Sequence, residues 1–165
     1  LKGKKMRSQQ GDVHMNTWRA LGASPVPIPV TEVMSSLQTG VVDGFDNTPL
    51  FTFAASWFQA CTHFTLTRHS YQPAIAVLNL DTWNGLPKDI QDLVRGDLMA
   101  ESAYGRRTVR AIKQQLIDNF GAAGIQVHDS SAAELAAFAK ATKPTHKKFT
   151  DKYGSTLYNA ITRHL

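Results

Sequence analysis

Between Lys5 and Asn47 the apolar positions fall in short groups that alternate between strand-like and helix-like spacing. "KMRSQ" predicts a short strand after a Gly-Lys turn, and "DVHMNTWRAL" predicts a helix capped by Asp12 with Met15 and Trp18 on one side. In "SPVPIPV", Val26 and Ile28 point one way between prolines, the pattern of a short edge strand. Thr31 then caps "TEVMSSLQT", where Val33, Met34 and Leu37 form the inward stripe and Gly40 is the stop; "VVDG" resumes an extended form. The order strand, helix, strand, helix, strand is the βαβ alternation of an α/β layer.

The second half reads differently. "LFTFAASWFQA" predicts a helix with Phe53, Trp57 and Phe58 turned inward as core aromatics, and "HFTLTRHSYQPAIAVLN" predicts one long strand or two consecutive ones returning between lobes. Beyond Pro87, apolar residues from Ile90 through Met99, Val109 and Leu116 to Phe120 recur at helical spacing, which predicts a single unusually long helix from about Lys88 to Phe120. "IQVHD" is a short strand, Ser131 with Glu134 makes a capping box for an Ala-rich helix running toward Tyr153, and "STLYNAITRHL" adds a last amphipathic helix. The change of character near Pro87 divides the chain into an α/β unit with returning strands, 1–86, and a helix-rich unit, 87–165, whose long helix is expected to brace two lobes of a larger protein.

Composition narrows the class. With 165 residues, 42% hydrophobic and 19% charged, the chain is long enough to bury one sizeable core. No apolar run reaches the roughly 18 residues of a membrane span, so direct membrane insertion is not expected. The single cysteine, Cys61, excludes an internal disulfide. The opening "LKGKKMRSQQ" has no initiator Met, apolar signal core or small-residue cleavage site. A net charge of +5 invites a nucleic-acid reading, with basic clusters at Lys2–Arg7, Arg106–Lys113 and Lys143–Lys148. Those clusters lack interleaved stacking aromatics or a docking motif, and two of them lie on helical patterns as solvated faces, so no nucleic-acid partner is expected.

The chemistry concentrates in "DGFDNTP", residues 43–49, where two acids, an amide and an aromatic ring crowd one tight turn. A connecting turn needs only the Asp-Gly pair. Arg7 ends the first predicted strand and Asp43 to Asn47 end the third, so two strand ends offer polar groups to one crevice, where ligands of open α/β sheets bind. Catalytic readings find no support. There is no Gly-rich phosphate loop, and Ser24 lacks a nucleophile elbow. The six histidines are dispersed, "DGFDN" has its Gly too early for a calcium loop, and no base is placed against Cys61, so no metal, cofactor or nucleophile is expected. An effector-binding regulatory domain would share an α/β cleft but travel with a helix-turn-helix segment, which is not found here.

Taken together, "LKGKKMR", "ALGASPVPIPVTEV", "LQTGVVDGFDNTP", "YQPAIAVLN" and "TWNGLPKDIQDLV" resemble, in order and spacing, the solute-binding proteins of TRAP transporters, the DctP-like family. The resemblance covers nearly the whole chain. It implies an α/β periplasmic binding protein-like fold of which this chain is the second lobe, with the long bracing helix and C-terminal helices, the first lobe being absent. It also implies a periplasmic, non-enzymatic protein that captures an organic acid and delivers it to membrane subunits of the transporter. The family's carboxylate-pairing arginine, in its "KxRV" strand, falls on Arg7, and the asparagine of its "DGQENP" turn falls on Asn47. Phe45 and Val30 occupy wall positions where the family more often has other residues, and Gln9 completes the expected ligand-binding set.

Overall fold

The structure is a computed structural model that describes residues 1–163. Its first strand, β1 (Lys5–Ser8), pairs in parallel with β2 (Ser24–Pro27), with Arg7 opposite Val26. The connection is helix α1 (Asp12–Ala20). Proline fits in β2 because one side of that strand carries no ladder. The other side of β1 is taken by the segment after Gly40: Asp43 N donates to Lys5 O at 2.8 Å and Arg7 N donates to Gly44 O at 2.7 Å. β1 thus lies in the middle of three parallel segments, and the expected alternation is present.

Gly44 plays a different part from the one its Asp-Gly setting suggests. Its φ is not positive, whereas a Cβ there would meet the end of the Met6 side chain at 3.1 Å. Close approach to Met6, rather than left-handed backbone, favours glycine at this position. The following Thr48 caps helix α3 (Pro49–Ala54) by accepting from Phe51 N, with Pro49 at the first helical position, the arrangement favoured at a helix start. Between these elements, Glu32 rather than Thr31 precedes helix α2 (Val33–Gln38), because residues 30–32 form a 3-10 turn first.

Two apolar clusters hold this half. Ile28, Val33, Val42 and Trp57 form one, while Met6, Trp18 and Ala23 form the other beneath α1. The helix expected over "LFTFAASWFQA" is interrupted at Ser56, which takes left-handed angles (φ 59°), and residues 57–60 form a separate 3-10 turn. That break turns Trp57 into the first cluster.

Strand β3 (His63–Leu66) pairs in parallel with β4 (Gln126–Asp129), forming a second two-stranded ladder. The long strand expected through "YQPAIAVLN" is not formed. Residues 67–79 have no regular structure, and Ile75 and Val77 are 83% and 78% exposed. A strand exists only where a neighbour supplies its ladder, and among the described residues none lies beside this segment.

The single helix expected from Lys88 to Phe120 is a second correction. After a short helix α4 (Leu80–Gly85), the chain forms α5 (Lys88–Arg95) and then the long α6 (Leu98–Ala122). Gly96, at φ 47° and ψ −146°, ends α5 in a conformation open to glycine, and Asp97 restarts the chain by accepting from the amides of Met99 and Ala100. Only the C-terminal part of α6 is buried: Leu116 and Phe120 pack inward while Met99 and Tyr104 lie exposed.

Helix α7 (Ala132–Tyr153) carries the expected capping box, with Glu134 N donating to Ser131 Oγ and Ser131 N donating to Glu134 Oε2 at 2.7 Å. Ser131→Ala removes the Oγ that accepts from Glu134 N and donates to Glu134 Oε2, while the backbone bond from residue 131 N to Glu134 Oε2 stays. We expect it to cost about 1 kcal/mol in denaturant unfolding, whereas an exposed Ser70→Ala change should cost less than about 0.5 kcal/mol. Helix α7 docks on α1, where Lys152 pairs with Asp12. Asp12 therefore closes a helix–helix contact; Gly11, not Asp12, holds the capping position. Helix α8 (Thr156–Thr162) ends the described chain, and the last two residues of "STLYNAITRHL" lie outside it.

Candidate functional site

The three parallel segments end on the same side, and their ends carry the polar residues expected there. Arg7 and Gln9 follow from β1, Ile28 and Val30 follow β2, and Phe45, Asp46 and Asn47 follow Gly44. All five candidate residues therefore sit at the carboxyl ends of adjacent strands. Ligands of open α/β sheets bind in this position.

Arg7 is the most constrained. It is 2% exposed, its Nε donates to Ile28 O at 3.0 Å, and its guanidinium carbon lies 5.7 Å from the centre of the Trp57 ring. One nitrogen and one face of the fork are thereby fixed. No hydrogen bond engages its two terminal nitrogens among the described residues, and neither is counted among the fully buried atoms without a partner. They remain as a pair of parallel donors at the surface of an otherwise enclosed cation, suited to a planar carboxylate. Burial lowers the arginine's pKa below its ordinary value, and the Asp46 carboxylate partly offsets this.

Asn47 presents a complementary donor. Its Oδ1 accepts from Thr48 N at 2.8 Å, which fixes the amide and leaves its NH2 group turned to other partners. Phe45 is partly buried against the first apolar cluster and meets the Trp57 ring edge-on at 5.1 Å. Val30 is 49% exposed on the 3-10 turn, and Gln9 is exposed just past β1.

Two residues of the site were not singled out from sequence. Asp46 Oδ2 lies 3.4 Å from His69 Nε2, and His69 Nδ1 lies 2.6 Å from Thr67 Oγ1. Both members of the pair are largely buried, with side chains 13% and 14% exposed, and the His69 ring leans on Trp18 at 5.7 Å and Phe138 at 6.1 Å. The turn that carries Asn47 is thus tied to the segment leaving β3. Asp46 was visible in "DGFDN", but nothing in sequence connects it with a histidine so far along the chain. A cavity of about 530 Å³ separates this turn from β3, lined by Met6, Trp18, Phe45 and Phe64 among others. Phe45 and Asn47 line it, whereas Arg7, Gln9 and Val30 do not, so the five candidate residues do not share one cavity. Among the described residues no cluster of His, Cys, Asp and Glu is placed to hold a metal ion, and no helix is long and apolar enough to cross a membrane.

Asn47→Ala tests the weaker of the two polar contacts. In the full-length protein it should weaken ligand binding by about 0.5–1.5 kcal/mol, read by calorimetry, since it removes one neutral donor. A loss as large as that of Arg7→Ala would reverse the ranking of the two residues.

Parallel strands joined through helices, with an enclosed arginine and an amide at their carboxyl ends, make an α/β layer of the kind that takes ligands at its strand ends. Comparison with known proteins gives the family. Residues 1–152 match the model of bacterial extracellular solute-binding proteins, family 7, and the chain belongs to that family. It is 29% identical over 160 residues to the C4-dicarboxylate-binding periplasmic protein DctP of Rhodobacter capsulatus, a match covering 96% of this chain and 48% of that protein. The corresponding DctP of Shewanella loihica is 30% identical over 162 residues, covering 96% and 47%. Among solved structures, a TRAP periplasmic solute-binding protein of Xanthobacter autotrophicus with bound β-D-galacturonate superposes with a TM-score of 0.85 at 27% identity, covering 99% of this chain and 53% of that one. Another, from Pseudomonas putida with bound D-glucuronate, has a TM-score of 0.86 at 28% identity, covering 98% and 52%. The chain spans about half the length of the curated relatives it matches.

Proposed function

We propose that this chain forms the second lobe of the extracytoplasmic solute-binding component of a TRAP transporter, working in the periplasm to capture an organic acid by its carboxylate. Its task is capture and delivery to the membrane subunits of the transporter, not turnover. Arg7 is the main anchor, its two free terminal nitrogens meeting both carboxylate oxygens. Asn47 adds a neutral donor, and Phe45, Gln9 and Val30 form the wall around them.

The observation that carries this reading is the arginine. A buried cation fixed through one nitrogen and one ring face, with its paired donors uncommitted, has a carboxylate near it only in Asp46, which makes no hydrogen bond to it and lies against His69. A ligand carboxylate supplies the bonded counter-charge. Support also comes from the relatives, whose bound or named ligands include C4-dicarboxylates and hexuronates.

The division into an α/β unit, 1–86, and a helix-rich unit, 87–165, is read in the same frame. The exposed apolar residues Tyr71, Ile75, Val77 and Leu78, together with the solvent-facing first half of α6, are surfaces for a second lobe to cover. A ligand caught between two closing lobes loses contact with water on both sides, so one wall alone binds poorly. A thermal-shift screen of the full-length protein against carboxylic acids, neutral sugars and amines tests the reading. Stabilisation by acids, absent with their primary amides, is expected; stabilisation by neutral sugars and not by acids would overturn it.

A further inference from the structure

Two residues of one apolar cluster hold the arginine at the strand end. Ile28, whose carbonyl accepts from Arg7 Nε at 3.0 Å, and Trp57, whose ring centre lies 5.7 Å from the guanidinium carbon, are buried together with Val33 and Val42. The indole is itself held on several sides. Phe45 and Phe51 meet it edge-on at 5.1 and 5.3 Å, and Cys61 Sγ donates to Trp57 O at 3.3 Å. Ser56, at left-handed angles (φ 59°, ψ 16°) that residues other than glycine seldom adopt, turns the chain between α3 and the 3-10 turn of residues 57–60. Within that turn only Trp57 is buried.

A core position asks for apolar volume, which leucine or phenylalanine also supplies. A neighbouring guanidinium asks for more. A ring face attracts a cation through its quadrupole, most strongly for tryptophan, and the attraction grows where water is excluded. Arginine has a long flexible stem, so a fork fixed beforehand loses less freedom on meeting a ligand. The Nε bond to Ile28 O alone leaves the fork free to swing about that bond, and the indole supplies the second point that fixes it. We propose that Trp57 is the positioning residue of this site: its ring, aimed by the left-handed turn at Ser56, holds the Arg7 fork where its terminal nitrogens pair with a carboxylate. The inference rests on the carboxylate-capture reading for its ligand and names the contact on which that anchor depends.

Heteronuclear NMR of the full-length, ligand-free protein reads the hold on Arg7 through proton exchange at its Nε, a signal assigned by its loss in Arg7→Lys. Exchange should be about 3- to 30-fold faster in Trp57→Leu, and Trp57→Phe, which keeps a ring face, should fall between. A ring-fluorinated tryptophan at position 57 keeps the shape and drains the ring's negative face, so it should speed exchange even where the leucine variant does not fold. Calorimetry with galacturonate, glucuronate and succinate reads the consequence for binding. The tightest binder of the three should lose about 3- to 30-fold in Trp57→Leu, but less than about twofold when the same change is made in Arg7→Lys protein. Exchange unchanged in the leucine variant or in the fluorinated protein, or as fast with phenylalanine as with leucine, overturns the inference. So does an equal loss of affinity on both backgrounds, since a merely structural tryptophan would act alike in the two. Altered exchange together with binding of none of the three acids, or with equal binding of an acid and its primary amide, counts against carboxylate capture and leaves the hold of Trp57 on Arg7 standing.

Discussion

Replacing Arg7 by alanine in the full-length protein is expected to weaken carboxylate binding by tens- to thousands-fold. The side chain is 2% exposed and its fork is held by Ile28 O and the Trp57 ring, so the pairing takes place in a poorly hydrated setting. Removing one partner of a buried charge pair leaves the other uncompensated, at a cost of roughly 2–5 kcal/mol, and about 1.4 kcal/mol is tenfold in affinity. Arg7→Lys should bind better than the alanine variant and worse than the parent, because it keeps the charge and loses the two parallel donors and the planar face on Trp57. Titrations at matched folding stability check both. An Arg7→Ala protein that binds its acid within about twofold of the parent would show that the anchor lies elsewhere.

The largest stability effect should come from Phe120→Ala. Phe120 is fully buried near the end of α6, with the rings of Phe64, Phe58 and Phe53 at 4.9, 6.0 and 6.5 Å. It joins α3, the turn after it and β3 to the long helix, so its loss leaves a cavity where separate elements meet. Large-to-small changes of this kind cost about 3–5 kcal/mol. Urea unfolding should show a loss in that range with little change in slope, and ligand affinity in the folded fraction should stay close to that of the parent. A cost below about 1 kcal/mol would mean that the site collapses around the missing ring, and that α6 is held by other contacts.

These two residues also mark what the sequence made legible. Phe120 belongs to an apolar stripe at helical spacing, so both its burial and its helix follow from pattern. The strands around Arg7, helix α1 and the capping box at Ser131 were readable for the same reason: each is specified by residues close together in the chain. Errors arose where a local signal was weaker than the run around it. The Gly96-Asp97 pair ends one helix and caps the next, yet the apolar spacing continues across it and suggested a single helix. The unpaired stretch after Leu66 has a strand-like composition, but a ladder depends on a neighbour, which composition does not reveal.

The positions of Arg7 and Asn47 at the ends of adjacent parallel segments were legible because they follow from the local strand pattern. Their surroundings were not. That Trp57 lies beneath Arg7 depends on the left-handed turn at Ser56, and that Asp46 meets His69 depends on where the chain leaves β3. Both are consequences of packing between distant segments.

The most direct measurement is a crystal structure of the full-length protein with the tightest-binding acid of the thermal screen. The expected result is a carboxylate whose two oxygens lie about 2.7–3.2 Å from the two terminal nitrogens of Arg7, with the Asn47 amide donating to the same group or its neighbour. A bound acid whose carboxylate is held by other residues, with the Arg7 terminal nitrogens more than about 4 Å away, would contradict the central role of Arg7.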